Sequence, residues 1–310
     1  RRRLGNTGGC AFAGALLREQ RGLGHEQGLQ ELRLSENSLS TRGLLSFAAT
    51  IRTLPWLRVL DLSSNNFSEQ ASEALAKALE THATIQQITL SNCAIEDKDG
   101  AFLIRALTKN SSVTFLDLSR NQLGAGSRAL HETDSAAAAL ARVLEVGSPA
   151  QMSTLILSFN NLIEPHIKML SSTLQYNKCL RHLDLSWNTA GDNGAMFLAE
   201  ALRPNLALHT IDLTHTEMQE KGTMVFADML KENRGLSTIR LGNNPIGQRG
   251  GRALLRALRR ILQFGWRRDV SFVSANYELF DKSARGTTRR VQMLDPDDPS
   301  FEDDEVPDAD

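Results

Sequence analysis

The chain has 310 residues, a formal net charge of −1 and 41% hydrophobic side chains. No apolar run approaches the ~20 residues that span a bilayer, so no membrane partner is expected. Three cysteines, Cys10, Cys93 and Cys179, are too few and too scattered for a disulfide framework and point to a reducing, cytoplasmic compartment.

The chain opens on Arg1-Arg2-Arg3-Leu4 without a Met, and Leu4 falls one period before Leu32 of the pattern that follows. Residues 1–28 are therefore expected to form a partial N-terminal repeat. From residue 29 the pattern Leu-x-x-Leu-x-Leu-x-x-Asn-x-Leu recurs, opening at Leu29, Leu57, Ile85, Val113, Met152, Leu180, Leu208 and Leu236. Every step is twenty-eight residues except Val113 to Met152, which is thirty-nine. A fixed period of this length is the mark of a stacked solenoid.

Each repeat has two halves. The first, as in Leu57-Arg-Val-Leu-Asp-Leu-Ser-Ser-Asn65, alternates apolar and polar residues at the strand period. The second, as in Ala71–Leu79, spaces apolar residues by three and four, the helix period. A strand and a helix in so few residues cannot bury a core alone, so the repeats must stack. The ninth position carries Asn37, Asn65, Asn121, Asn160, Asn188 and Asn244, with Cys93 and Thr216 in the other two repeats. A short amide there can bond the backbone groups left over where the chain turns. Cys93 is read as a structural substitute in this row and not as a reactive thiol. The Asn-x-Ser sequons at Asn66 and Asn110 are read as chance matches.

The repeat length, the helical second half and the Asn/Cys alternation resemble the ribonuclease-inhibitor class of leucine-rich repeat proteins, over roughly residues 4–262. That resemblance implies an α/β leucine-rich-repeat horseshoe solenoid, with a parallel sheet on the concave face and helices on the convex face. Its members recognise proteins. They include ribonuclease inhibitors, sensor receptor domains, tropomodulin-type actin regulators and Ran GTPase-activating proteins.

Positions the fold does not need carry the functional signal. The central exposed strand position reads Arg33, Asp61, Thr89, Asp117, Ile156, Asp184, Asp212 and Arg240. The position before the Asn row reads Glu36, Ser64, Asn92, Arg120, Phe159, Trp187, His215 and Asn243. Side-chain alternation would place both rows on the concave face. Strands lie ~4.8 Å apart, so Phe159, Trp187 and His215 should form one ladder roughly 10 Å long, flanked by His182, Asp184 and Asp212. The ladder is either a partner-binding patch or a set of rings packed on one another or under the insertion. The Asp row either contributes to recognition or keeps the sheet soluble.

The long repeat places its extra residues near 124–135, with Asp134 or Ser135 as the cap of a helix over 136–146. Further on, Arg249, Arg252 and Arg256, with Arg259 or Arg260, share one helix face by their spacing and form a candidate electrostatic site. The regular array ends at about residue 263. Residues 264–294 are expected to be a C-terminal cap containing a degraded strand at 270–273. Residues 295–310 hold nine acidic side chains and no Lys or Arg, and are expected to be a disordered acidic tail. The remainder then carries about plus eight (−1 + 9), so the tail could contact the basic end.

Catalytic and cofactor signatures are missing. The glycines near 5–14 and 124–126 lack the Gly-Lys-Ser/Thr ending of a phosphate loop, and His131-Glu-Thr-Asp lacks the second His of a zinc helix. Cys179-Leu-Arg-His182 begins just before a core strand position, which favours burial of the thiol. No cofactor and no metal are expected. Basic residues lack interleaved aromatics, so nucleic acid is an unlikely partner. The expected function is a non-enzymatic scaffold or adaptor binding a protein through the concave face. The alternative is a GTPase-activating protein resembling those for Ran, with Arg33 and Arg120 as candidate contacts.

Overall fold

The structure, a computed structural model, describes residues 3–20, 28–125, 135–263 and 271–272. Strand and helix alternate throughout, starting with α1 (Gly5–Gln20), β1 (Glu31–Arg33), α2 (Thr41–Ile51), β2 (Val59–Asp61), α3 (Glu69–Thr81) and β3 (Gln87–Thr89). Then come α4 (Asp97–Leu107), β4 (Phe115–Asp117), α5 (Ala136–Leu144), β5 (Thr154–Ile156), α6 (Glu164–Leu174) and β6 (His182–Asp184). The array closes with α7 (Gly191–Leu202), β7 (Thr210–Asp212), α8 (Glu220–Leu230), β8 (Thr238–Arg240), α9 (Gly247–Gln263) and the two-residue β9 (Ser271–Phe272).

The strands form one parallel sheet in sequence order, and the register follows the repeat, with Leu32, Leu60, Ile88, Leu116, Leu155, Leu183, Ile211 and Ile239 side by side. Each of β1 to β8 buries its middle residue and leaves its outer two partly or fully exposed. The helices run along the other side of the sheet, each packed on its sequence neighbours. Their apolar stripes meet the buried strand residues in one continuous core from Ala13 to Ala257. This is the α/β solenoid expected from the period.

The Asn row is built as expected, with one refinement. The amides bond chiefly to backbone and not to one another. Asn121 Nδ2 donates to the Leu118 carbonyl of its own repeat and the Leu90 carbonyl of the repeat before. Its Oδ1 accepts the N–H groups of Cys93 and Ile95. Asn188 and Asn244 likewise accept two N–H groups each.

A second Asn row lies where helix passes to strand. Asn110, Asn177, Asn205 and Asn233 donate back to carbonyls of the preceding repeat and accept N–H groups of their own turn. His82 fills the same place: its ring bonds the Leu54 carbonyl and accepts from Ile85 N–H. Asn110 is buried in this row, which closes its sequon to modification.

The turns also alternate. In the first, third, fifth and seventh repeats the residue after the Asn row (Ser38, Ala94, Asn161, Glu217) has a left-handed φ. In the second, fourth and sixth, the corresponding N–H of Asn66, Gln122 and Thr189 reaches back to the carbonyls of Leu39, Ile95 and Leu162.

Two expectations are adjusted, the place of Leu4 and the end of the helix after the insertion. Leu4 does not lie one period before Leu32. Its N–H meets Asn37 Oδ1 as Leu162 N–H meets Asn188 Oδ1, which places Leu4 two positions past the Asn row, at the entrance to α1. Ser135, not Asp134, caps α5 by accepting Ala138 N–H, and that helix stops at Leu144 because Glu145 turns extended. The last helix is Gly247–Gln263, and the described part of the 270–273 segment, Ser271–Phe272, pairs parallel to β8. Gly124, where the insertion leaves the regular path, has no room for a side chain: a Cβ would lie 2.1 Å from the Asn161 carbonyl oxygen. Residues 126–134, 264–270 and 273–310, including most of the insertion and cap and all of the acidic tail, lie outside the described residues.

Candidate protein-binding rim

The row before the Asn position does not continue the strand. It sits three residues past each strand, in the turn toward the helix, and all eight members have φ between +54° and +59°. Strand alternation therefore fails here, and the row lies along the C-terminal edge of the sheet.

The Asp residues of the strands help to set this turn. Asp61, Asp117, Asp184 and Asp212 each accept the N–H two residues on, at 2.8–3.0 Å. Such Asx turns let the carboxylate hold the chain where it leaves the sheet. Ser186 also donates its hydroxyl to Asp184 at 2.7 Å. Burial pushes the Asp184 carboxyl above the usual range, against the pull of the Ser186 bonds. Asp212 has an ion pair with Arg240 at 3.4 Å. Asp184 and Asp212 thus have structural work first, and among the described residues no hydrogen bond or ion pair joins them or His182 to the aromatic row. His182 is exposed on β6, beside Thr154 and Thr210.

Phe159, Trp187 and His215 do come together. The Phe159 and Trp187 rings stack with centroids 4.8 Å apart at 10°, and Trp187 and His215 lie 4.0 Å apart at 22°. The row is longer than the aromatic pattern indicated. The Arg120 guanidinium lies 4.4 Å over the outer face of Phe159, a cation–π contact that extends the stack to four repeats. Trp187 is 41% exposed, Arg120 and His215 are exposed, and Phe159 is half-buried between its neighbours. The rings pack on each other through their faces, and Trp187 and His215 remain open to solvent.

A left-handed φ costs most residues ~1–2 kcal/mol, and Asn and Asp bear it best. The fold uses Asn at this position in Asn92 and Asn243. Phe and Trp are poor choices for such a backbone, whereas His tolerates it better, and stacking returns only ~0.5–1.5 kcal/mol per pair. Their identity is not what the turn requires.

The thiol of Cys93 is buried, donates to the carbonyls of Leu62 and Ser91, and is pushed up to about 12 by burial. That fits its structural reading. Cys10, Cys93 and Cys179 are all free, and Cys179 is part-exposed instead of buried, its strand-entry position lying at the edge of the core. Arg33 is held by Glu31 at 2.9 Å. Arg249, Arg252, Arg256, Arg259 and Arg260 are all exposed on α9, at the far end of the array from α1. Among the described residues no group of three or more His, Cys, Asp or Glu could hold a metal ion, and no helix is long and apolar enough to cross a membrane.

Sequence reasoning placed Arg120 in the right row but not in the stack, because no spacing rule pairs a cation in one repeat with a ring in the next. The second Asn row was readable, since Asn177, Asn205 and Asn233 keep the repeat period.

Comparison with known proteins agrees with this architecture. One leucine-rich repeat family model matches residues 109–126 and 176–199, and a second matches residues 56–78. These matches fall on the units around β2, β4 and β6 and support a leucine-rich repeat protein, a class that generally mediates protein–protein interaction. No curated protein matches the chain. Among solved structures it is similar to "Leiomodin-1 Actin-Binding Site 2 (ABS2)", at 16% identity and a TM-score of 0.36, over 40% of this chain and 70% of that one. A likeness that distant carries no argument about function.

Proposed function

We propose that this chain is a non-enzymatic scaffold or adaptor of a reducing, cytoplasmic compartment. It holds one protein partner on the concave side of the sheet, along the rim formed by Phe159, Trp187 and His215, with His182, Asp184 and Asp212 on the adjoining strands. The observation that carries this reading is the stacked ladder, in which Phe159 and Trp187 are residues that the left-handed turn disfavours. Unfavourable residues kept at a strained backbone position point to a use outside the fold, and Trp is enriched where partners bind most tightly.

Affinity capture with the intact chain, followed by titration of the captured protein against wild type and Trp187→Ala, tests it. The expected loss of affinity is at least ~2 kcal/mol with an unchanged melting temperature. Lower stability with intact affinity would overturn it. Nucleotide hydrolysis by a panel of small GTPases should be unaffected by the chain; a faster member would favour the GTPase-activating alternative.

A second, electrostatic contact rests on charge. The nine acidic residues in 295–310 screen Arg249, Arg252, Arg256, Arg259 and Arg260 at low salt. Deleting 295–310 should then strengthen binding to heparin at low ionic strength, and equal binding would remove the contact.

A further inference from the structure

Beside the ladder the same rim becomes a hollow. Where the row changes from Phe159 to Ser64 and Asn92, the turns of the first four repeats enclose an open trough of about 520 Å³. Its walls mix uncharged amides and hydroxyls, among them Ser38, Asn66 and Gln122, with apolar surface from Leu39 and Ala94, and Asn92 donates to Ser64 at 3.2 Å between two of the turns. Its one charged lining residue is Arg120, the same residue that closes the ladder. Arg120 is exposed and has no ion-pair partner among the described residues. The nearest acid in the row, Glu36, lies three strands away at the opposite end.

We propose that the trough takes a short extended segment of the partner protein and that Arg120 binds one carboxylate side chain of that segment. This deepens the reading of the rim as a protein-binding surface and rests on it. Four turns at the ~4.8 Å strand spacing span about 14 Å, which accommodates four or five extended residues at ~3.3 Å each. Hydroxyl and amide walls can exchange hydrogen bonds with such a backbone in either direction. One guanidinium matches one carboxylate in charge and in its forked geometry. A phosphate dianion would call for a second cation, which the lining lacks. Because the faces of Phe159 and Trp187 are filled by stacking, an apolar side chain next to the carboxylate would meet the ring edges.

The test uses immobilised octapeptides in which each position carries in turn Asp, Asn, phosphoserine, Lys or Leu. They are probed with the full chain, Arg120→Asn, Arg120→Glu and Trp187→Ala. Asn accepts a left-handed φ, so Arg120→Asn removes the charge without straining the turn; melting curves verify folding. Wild type should bind Asp-bearing peptides about tenfold better than their Asn counterparts, the worth of one charge-assisted bond. Arg120→Asn should level that preference, and Arg120→Glu should turn it toward Lys. An Asp preference retained by Arg120→Asn, stronger binding of phosphoserine than of Asp, or no peptide bound at all would each overturn the proposal. Binding that depends on Trp187 without any Asp preference sinks the Arg120 site and leaves the ladder standing. An overall affinity undiminished in Trp187→Ala, with the Asp preference kept, supports Arg120 and removes the ladder instead.

Discussion

The side-chain oxygen of Asn121 accepts the backbone N–H of Cys93 at 3.0 Å, while Cys93 offers the preceding repeat only a sulfur donor, 3.4 Å from the Leu62 carbonyl. The two positions are equivalent in the repeat but not in duty. Asn121, Asn188 and Asn244 each receive two N–H groups from the repeat before them, whereas Asn65 and Asn160 receive one each, from Leu39 at 2.9 Å and from Leu123 at 3.3 Å. The poorer substitutes Cys93 and Thr216 both occur in repeats where a left-handed residue, Ala94 or Glu217, follows the row.

Unequal duty predicts unequal cost. Asn121→Ala and Asn188→Ala each strand buried donors and acceptors, at ~1–3 kcal/mol per unsatisfied group before relaxation. Asn160→Ala should cost less than either, and Asn160→Thr less again, since Thr216 already fills that role. Urea unfolding midpoints decide this, and equal losses at Asn121 and Asn160 would show the difference in duty to be energetically idle.

Replacing Trp187 by Asn should leave stability within about 1 kcal/mol of wild type, because relief of the left-handed backbone (~1–2 kcal/mol) offsets the lost stacking (~0.5–1.5 kcal/mol per pair). A loss of several kcal/mol in the same unfolding assay would make the ladder a packing feature of the fold.

His82 predicts a pH dependence. Burial lowers its pKa, outweighing its bonds to the Leu54 and Ile51 carbonyls, and its Nδ1 must be unprotonated to accept from Ile85 N–H. The folded state thus prefers the neutral ring. Its contribution is fully present above the unfolded value of ~6.5 and is lost as pH falls below that toward the depressed folded value. His166, also lowered by burial, acts in the same direction. His82→Asn installs the residue that Asn110 and Asn205 carry in that place, so the variant should lose less stability than wild type between pH 7 and pH 5. Parallel losses across that range would mean that His82 does not titrate with unfolding.

Cys93, held near 12 and buried, should resist a thiol-alkylating reagent at pH 8 that labels the part-exposed Cys10 and Cys179. Mass spectrometry of labelled peptides reads this directly, with denaturant releasing Cys93 as the positive control.

The period, the parallel sheet, the Asn row and the aromatic neighbours were legible because all follow from residues recurring at one spacing. The left-handed turn was not. Alternation continues on paper past Asp184 to Trp187, although the chain has already left the strand, and no residue type in that row demands a positive φ in every repeat. Leu4 was misplaced because its repeat departs from the twenty-eight-residue period and apolar residues recur at several positions in each. Arg120 was missed as a stacking partner because a contact between unlike side chains in adjacent repeats leaves no periodic trace.

The two alternating turn shapes mean that the array is counted in pairs. Excising one repeat would bring two left-handed turns such as Ala94 and Asn161 into adjacency, with no Gln122-type N–H between them to reach back to the Ile95 carbonyl. Excising two restores the sequence of shapes. The smallest length by which such a protein can be shortened, grown or spliced to another without a mismatched seam is therefore about fifty-six residues, two twenty-eight-residue periods.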